Sequence, residues 1–140
     1  RALYEDPRRS QGMPGTRAPH VMLQRAGAPI STLDLFGKNF CALAASKGGG
    51  YCEAFRAAAA DLGLPLDTYR VAEDETVSDP ERRFAGAYGL SDSGAVMVRP
   101  DGFVAWRARD ARQASKPILS EVLSSLLCRS ERGPASIAAG

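Results

Sequence analysis

The stretch Val98-Arg99-Pro100-Asp101-Gly102-Phe103-Val104-Ala105-Trp106-Arg107 reads as a strand, a tight turn and a returning strand. Asp101-Gly102 supplies the turn, because glycine takes positive φ at no steric cost. Pro100 fixes its own φ and has no N–H for a ladder, so it belongs at a strand end. The hairpin therefore pairs Ala95 to Arg99 with Phe103 to Arg107.

Working outward, Asn39 to Ser46 is short and almost wholly apolar, the pattern of a buried central strand. Lys47-Gly48-Gly49-Gly50 breaks it. From Tyr51 to Leu62, Phe55, Ala58, Ala59 and Leu62 recur at helical spacing, and Gly63 supplies a C-cap. Leu66 to Ala72 reads as a further strand. Asp79-Pro80-Glu81 has the form of an N-cap followed by proline at the first helical position. The helix it opens carries Phe84 and Tyr88 and stops at Gly89. A last helix begins around Ser115 to Pro117, with a stripe of Ile118, Leu119, Val122, Leu123, Leu126 and Leu127. Ahead of this series, Arg17 to Gln24 suggests an edge strand and Gly27-Ala28-Pro29 a turn. Ser31 to Phe36 alternates with Leu33 and Leu35 on one face, so these segments predict an N-terminal hairpin. Residues 1–15 read as a linker and 129–140 as a disordered tail. The order βαβαββα over 16–128 predicts an α/β fold of thioredoxin-like type. Its sheet is mixed, and the N-terminal β-hairpin is an extension to it.

The chain has 140 residues, a net charge of +2 and scattered basic residues, so no nucleic-acid partner is indicated. No apolar run has the length of a membrane span, and no signal peptide is legible, which favours a cytoplasmic setting. A start at Arg1 suggests a piece of a longer protein. The three cysteines Cys41, Cys52 and Cys128 form no C-x-x-C, and with His20 as the one histidine no metal site is expected.

Four features carry candidate chemistry. Cys52 falls near the start of the helix after the first core strand, where helix-end amides stabilise a thiolate. That makes it the candidate nucleophile of a peroxidase or reductase, although no second cysteine stands three residues away. Cys41 and Cys128 lie in apolar stripes and read as buried hydrophobes. His20 has a pKa suited to a general base, or serves as a hydrogen-bonding residue at a loop or interface. Gly48-Gly49-Gly50 echoes a phosphate-binding turn without its full motif, or forms a plain loop. Glu73, Asp74 and Glu75 read as a solvated acidic loop, and Trp106 as part of a strand face.

Three segments carry a family resemblance, in order. Pro14-Gly15-Thr16-Arg17-Ala18-Pro19-His20 resembles a "PGxRAPH" segment. Ser31-Thr32-Leu33-Asp34-Leu35-Phe36-Gly37 resembles "STLDLFG". Val98 to Arg107, preceded by Tyr88-Gly89-Leu90, resembles "VRPDGxVAWR". All belong to the C-terminal region of FAD-dependent aromatic-ring hydroxylases, the flavoprotein monooxygenases of phenols and aromatic polyketides. The resemblance implies a thioredoxin-like domain without redox cysteines, attached to upstream FAD and substrate domains. It implies a parent enzyme in which NADPH or NADH reduces FAD and a hydroxyl is placed on an electron-rich ring. This segment would then hold no catalytic, cofactor-binding or metal-binding residue. It would contribute domain packing, with Arg17 and His20 at the interface, and would offer a homodimer contact. The alternative is a thiol redox enzyme using Cys52; a third reading is a free-standing interaction module.

Overall fold

The computed structural model describes residues 14–126. Nearly all of the expected linker, together with Leu127, Cys128 and the expected tail, lies outside the described residues. The strands are β1 (Met22–Arg25), β2 (Ala28–Ser31), β3 (Phe40–Ala44), β4 (Leu66–Arg70), β5 (Val77–Ser78), β6 (Ala95–Val98) and β7 (Val104–Ala108). The helices are α1 (Gly49–Leu62), α2 (Phe84–Ala87) and α3 (116–126).

The main sheet has the order β4-β3-β6-β7. β3 runs parallel to β4 through the α1 crossover and antiparallel to β6, and β6 pairs antiparallel with β7. The chain is thus mixed α/β, with the crossover and closing hairpin that the sequence predicts. All five residues of β3 are buried, because the strand lies between two neighbours and is covered on both faces. The period of two sorts its side chains. Cys41 and Leu43, with Val96, Val98 and Val104, meet Leu23, Val77, Phe84 and Tyr88 on one side. Phe40, Ala42 and Ala44, with Met97, meet α1 and α3 through Tyr51, Phe55, Leu119 and Leu123 on the other. Alanines on β3 and at Ala58 and Ala59 let α1 approach the sheet closely.

A bulge falls in the decisive hairpin, where Met97 pairs with Trp106 but Val98 with Val104. The extra residue turns both Ala105 and Trp106 toward the helices, and Trp106 meets Phe55 edge-on with centroids 5.3 Å apart. Gly102 sits at φ +87, as the Asp-Gly turn requires.

Four local expectations need correction. The N-terminal hairpin exists, but it is β1–β2 turning at Ala26 and Gly27, both with positive φ. Pro29 lies within β2 rather than in the turn. Thr32–Leu35 is a 3-10 turn and not a strand. Ser31 Oγ accepts from the Leu33 amide at 3.1 Å and Asp34 Oδ2 from the Ser31 amide at 3.1 Å, a reciprocal cap that outcompetes the alternating pattern. The helix expected from Pro80 begins only at Phe84. Asp79 Oδ2 does accept a helix-start amide, but that of Phe84, at 2.8 Å; the intervening turn closes through Arg82 at φ +54. Leu62 and Ile118, expected in apolar stripes, are exposed. The two-residue strand β5, which pairs with β1, carries too short a pattern to read.

The glycine run is shaped by contact rather than flexibility. A Cβ on Gly48 would stand 2.6 Å from the Gly94 carbonyl oxygen, and one on Gly94 would stand 2.5 Å from that of Arg109. Gly94→Ala therefore forces backbone apart and is expected to cost about 1–3 kcal/mol. Urea unfolding followed by Trp106 fluorescence measures it; an unchanged midpoint contradicts the packing described.

Candidate functional site

The signature segments meet at one atom, the carbonyl oxygen of Pro19. Thr32 Oγ1 donates to it at 2.9 Å and Tyr88 Oη at 2.5 Å. Both donors have no exposed surface. Thr32 also accepts from the Val21 amide at 3.0 Å, while its own amide donates to the Val21 carbonyl at 2.9 Å. Burial pushes the Tyr88 phenol well up, so it stays a donor at neutral pH.

The same entering segment is sewn to the decisive hairpin. The Gly15 amide donates to Val104, the Val104 amide to Thr16 and the Ala18 amide to Gly102, each at 2.8 Å. Arg17 bridges to Phe103 and lays its guanidinium over that ring at 5.0 Å; Arg99 approaches the ring at 5.7 Å. His20 Nδ1 lies 2.6 Å from Ser31 Oγ on an exposed face. The two expected interface residues thus engage different partners, Arg17 the β6–β7 turn and His20 the cap of the 3-10 turn. The hydroxyl that partners His20 is at the same time the acceptor of the Leu33 amide, so it serves as the cap of the turn.

Cys52 lies elsewhere, on α1. The helix begins at Gly49, which puts Cys52 a full turn in rather than at the free amides. Its thiol is buried, and burial pushes its pKa up although Arg56 and Arg70 pull it down. Cys41 is pushed up further by its burial in β3. An activated nucleophile needs the opposite shift. Beside Cys52 an open hollow of about 480 Å³ is bordered by Arg25, Arg56, Arg70, Glu53 and Glu75. Its cations already have partners: Arg56 donates to Thr68 Oγ1 at 2.7 Å, and Arg25 stacks over Tyr69 at 5.6 Å. Arg70 holds Asp74 and Glu75 at 3.0 Å each and the Ser46 carbonyl at 2.7 Å. The acidic loop is therefore tied to β4 rather than merely solvated.

A bound dinucleotide such as FAD would need an open glycine turn at a strand-to-helix junction. Here the space a Gly48 side chain would take is filled by the Gly94 carbonyl, and Gly49 abuts the Arg70 side chain. This strand-to-helix junction therefore does not have the shape of a dinucleotide-binding turn. Thr32 and Tyr88 are the buried residues that a search for catalytic types passes over. Both lie in the motif segments, Thr32 between Ser31 and Leu33 and Tyr88 between Ala87 and Gly89.

Residues 11–130 match the family described as aromatic-ring hydroxylase, C-terminal. The chain is 48% identical over 128 residues to a 4-methyl-5-nitrocatechol 5-monooxygenase of Burkholderia sp, covering 91% of this chain and 23% of that protein. It is 43% identical over 126 residues to aklavinone 12-hydroxylase RdmE of Streptomyces purpurascens, covering 87% and 23%. A solved aklavinone-11 hydroxylase, in a ternary complex with FAD and aklavinone, superposes with a TM-score of 0.79 at 41% identity over 85% of this chain and 22% of that one. The flavin-dependent monooxygenase PieE, with FAD and substrate, gives 0.71 at 36% identity over 81% and 20%. The chain thus spans about a quarter of the length of these relatives.

Two outcomes follow from this geometry. Thr32→Val removes one donor from Pro19 and strands the Val21 amide, at an expected cost of about 1–3 kcal/mol; Tyr88→Phe costs less, because Thr32 still serves the carbonyl. The double variant loses more than the sum, since the buried carbonyl is then left bare. Simple additivity in urea unfolding contradicts a shared acceptor. The thiols set a pH dependence. Their folded pKa values lie above the unfolded ones, so the unfolded chain releases protons first as pH rises past about 8.5. Stability is therefore full below that pH and falls above it, which urea midpoints measured across the range report.

Proposed function

Because the chain belongs to the family of aromatic-ring hydroxylase C-terminal domains, we propose that it is the non-catalytic accessory domain of an FAD- and NAD(P)H-dependent aromatic monooxygenase. The observation that carries this reading is the use made of the signature residues. Arg17, Pro19, Thr32, Tyr88, Gly102 and Phe103 bind the entering segment to the domain, and none of them borders the hollow beside Cys52. Burial of the Cys52 thiol supports it from the other side. When bound in the upstream region, the flavin supplies the redox chemistry, with a nicotinamide cofactor as its reductant and an electron-rich aromatic ring as its substrate. This domain, proposed as 16–128, holds no cofactor itself and packs against the FAD and substrate domains. A cytoplasmic setting suits such an enzyme. Among the described residues no helix is long and apolar enough to cross a membrane. A homodimer contact is a secondary role.

Arg17 and His20 stand where the entering segment meets the domain and are the proposed interface pair. Replacing both by alanine in the full-length polypeptide is expected to lower its thermal midpoint and its FAD content after gel filtration. Unchanged values for both would remove the pair from the interface. Peroxide consumption by the purified chain, abolished in Cys52→Ser, would instead favour the thiol redox alternative.

A further inference from the structure

Resting on that reading, we propose that the open outer edge of β4 is completed by an extended, acidic segment of the remaining hydroxylase polypeptide, added to the main sheet as a further strand. β4 stands at the end of the order β4-β3-β6-β7 and pairs only with β3 among the described residues. All five of its residues are half-buried, where all five of β3 are buried. The Val71 amide donates to the Ala44 carbonyl, and Ala44 stands opposite Arg70. In a parallel ladder that parity turns the N–H and C=O groups of Asp67 and Tyr69 toward β3 and those of Thr68 and Arg70 outward. No hydrogen bond among the described residues takes up these outward groups.

The hollow beside Cys52 is the groove along this edge. Its border takes Cys52 and Arg56 from α1 on one face of the sheet and Arg25 and Val77 from the small sheet on the other, with Thr68 and Tyr69 between them. β3 closes the inner side of β4, so the two faces communicate only around the outer edge. At such an edge main-chain pairing supplies affinity, and the flanking side chains select the partner. Here the flanking groups are exposed cations. Arg56 is held by the Thr68 hydroxyl and Arg25 lies over the Tyr69 ring. Both partners are uncharged, so neither guanidinium is neutralised. Arg70 and Glu75 neutralise each other, which leaves Arg25 and Arg56 against Glu53 alone at this border. Successive residues of a strand point to opposite faces. Two neighbouring acidic residues of an added strand would therefore meet Arg56 on one face and Arg25 on the other.

Charge selects among the occupants. A second copy pairing its own β4 about Thr68 would bring Arg56 against its symmetry mate, and like charges there oppose the contact. An acidic strand meets the reverse. An edge left open is a template for aggregation, so its cover belongs to the assembled molecule rather than to a passing encounter. The relatives carry over three quarters of their length outside the matched region. That polypeptide is joined to the domain covalently, which raises its effective concentration above that of any separate chain.

The test follows amide hydrogen exchange at single residues of the full-length polypeptide, by mass spectrometry with electron-transfer fragmentation. The inward amides of Asp67, Tyr69 and Val71 report the domain's own fold; those of Thr68 and Arg70 report the added strand. The expected result is that Thr68 and Arg70 exchange about a hundredfold or more slower than in an unstructured chain, at any protein concentration. In the double variant Arg25→Gln, Arg56→Gln the two exchange about tenfold faster while the inward three stay protected. The same acceleration is expected without substitution at about 1 M sodium chloride, where the Debye length is about 3 Å; if the variant loses its inward protection, this salt arm decides. Exchange at the unstructured rate, in protein that retains FAD, overturns the added strand and leaves the accessory-domain reading intact. Protection unchanged by the double substitution shows an occupant that is not acidic, and protection lost on dilution assigns the edge to a separate molecule; either overturns the proposal. Protein that binds no flavin overturns the accessory-domain reading, and the proposal with it.

Discussion

The buried carbonyl of Pro19 is the point on which the arrangement turns. Proline has no N–H, so Pro19 offers the domain an acceptor and brings no backbone donor of its own to satisfy. Thr32 and Tyr88 arrive from segments 13 and 69 residues away in the chain and place their hydroxyls on the same oxygen. An unpaired acceptor in this interior would cost about twice what one hydrogen bond contributes. The three segments are therefore held in one relative position, and the hairpin, the 3-10 turn and α2 follow from it.

Around that point the central sheet separates two kinds of packing. On one side branched residues of β3, β6 and β7 meet the small sheet and α2. On the other, alanines draw α1 close while Tyr51, Phe55 and Trp106 fill the space between the helices. The bulge at Met97/Val98 allows β7 to serve both sides. Gly48 and Gly94 close the end of this layer, where backbone meets backbone with no room for a methyl group. The one sequence feature suggestive of ligand binding is thus part of the packing.

The elements legible in the sequence were those whose pattern is enforced by burial along the whole element. β3 is buried throughout, α1 carries a helical stripe ended by a left-handed glycine, and the Asp-Gly turn admits few conformations. The misread elements were those decided by a few polar contacts. Leu33 and Leu35 alternate as in a strand, yet Ser31 and Asp34 cap each other and leave Leu33 in solvent. Asp79 is a genuine cap, displaced to Phe84 by a turn that the residue order does not announce. At the candidate site, Arg17 and His20 were visible as residue types in a motif. Thr32 and Tyr88 stand within motifs, yet their role is not legible there, because their shared partner Pro19 lies on a distant segment.

Periodicity, turn chemistry and three ordered motifs were enough for the α/β class, the crossover and hairpin order, and the family. Each of these is a local property that neighbouring residues enforce. Two matters were left to the tertiary structure: which groups share the Pro19 oxygen, and that Cys52 is buried rather than activated. Hydrogen-bond partners and desolvation depend on which distant segments come together, and a linear pattern does not record that.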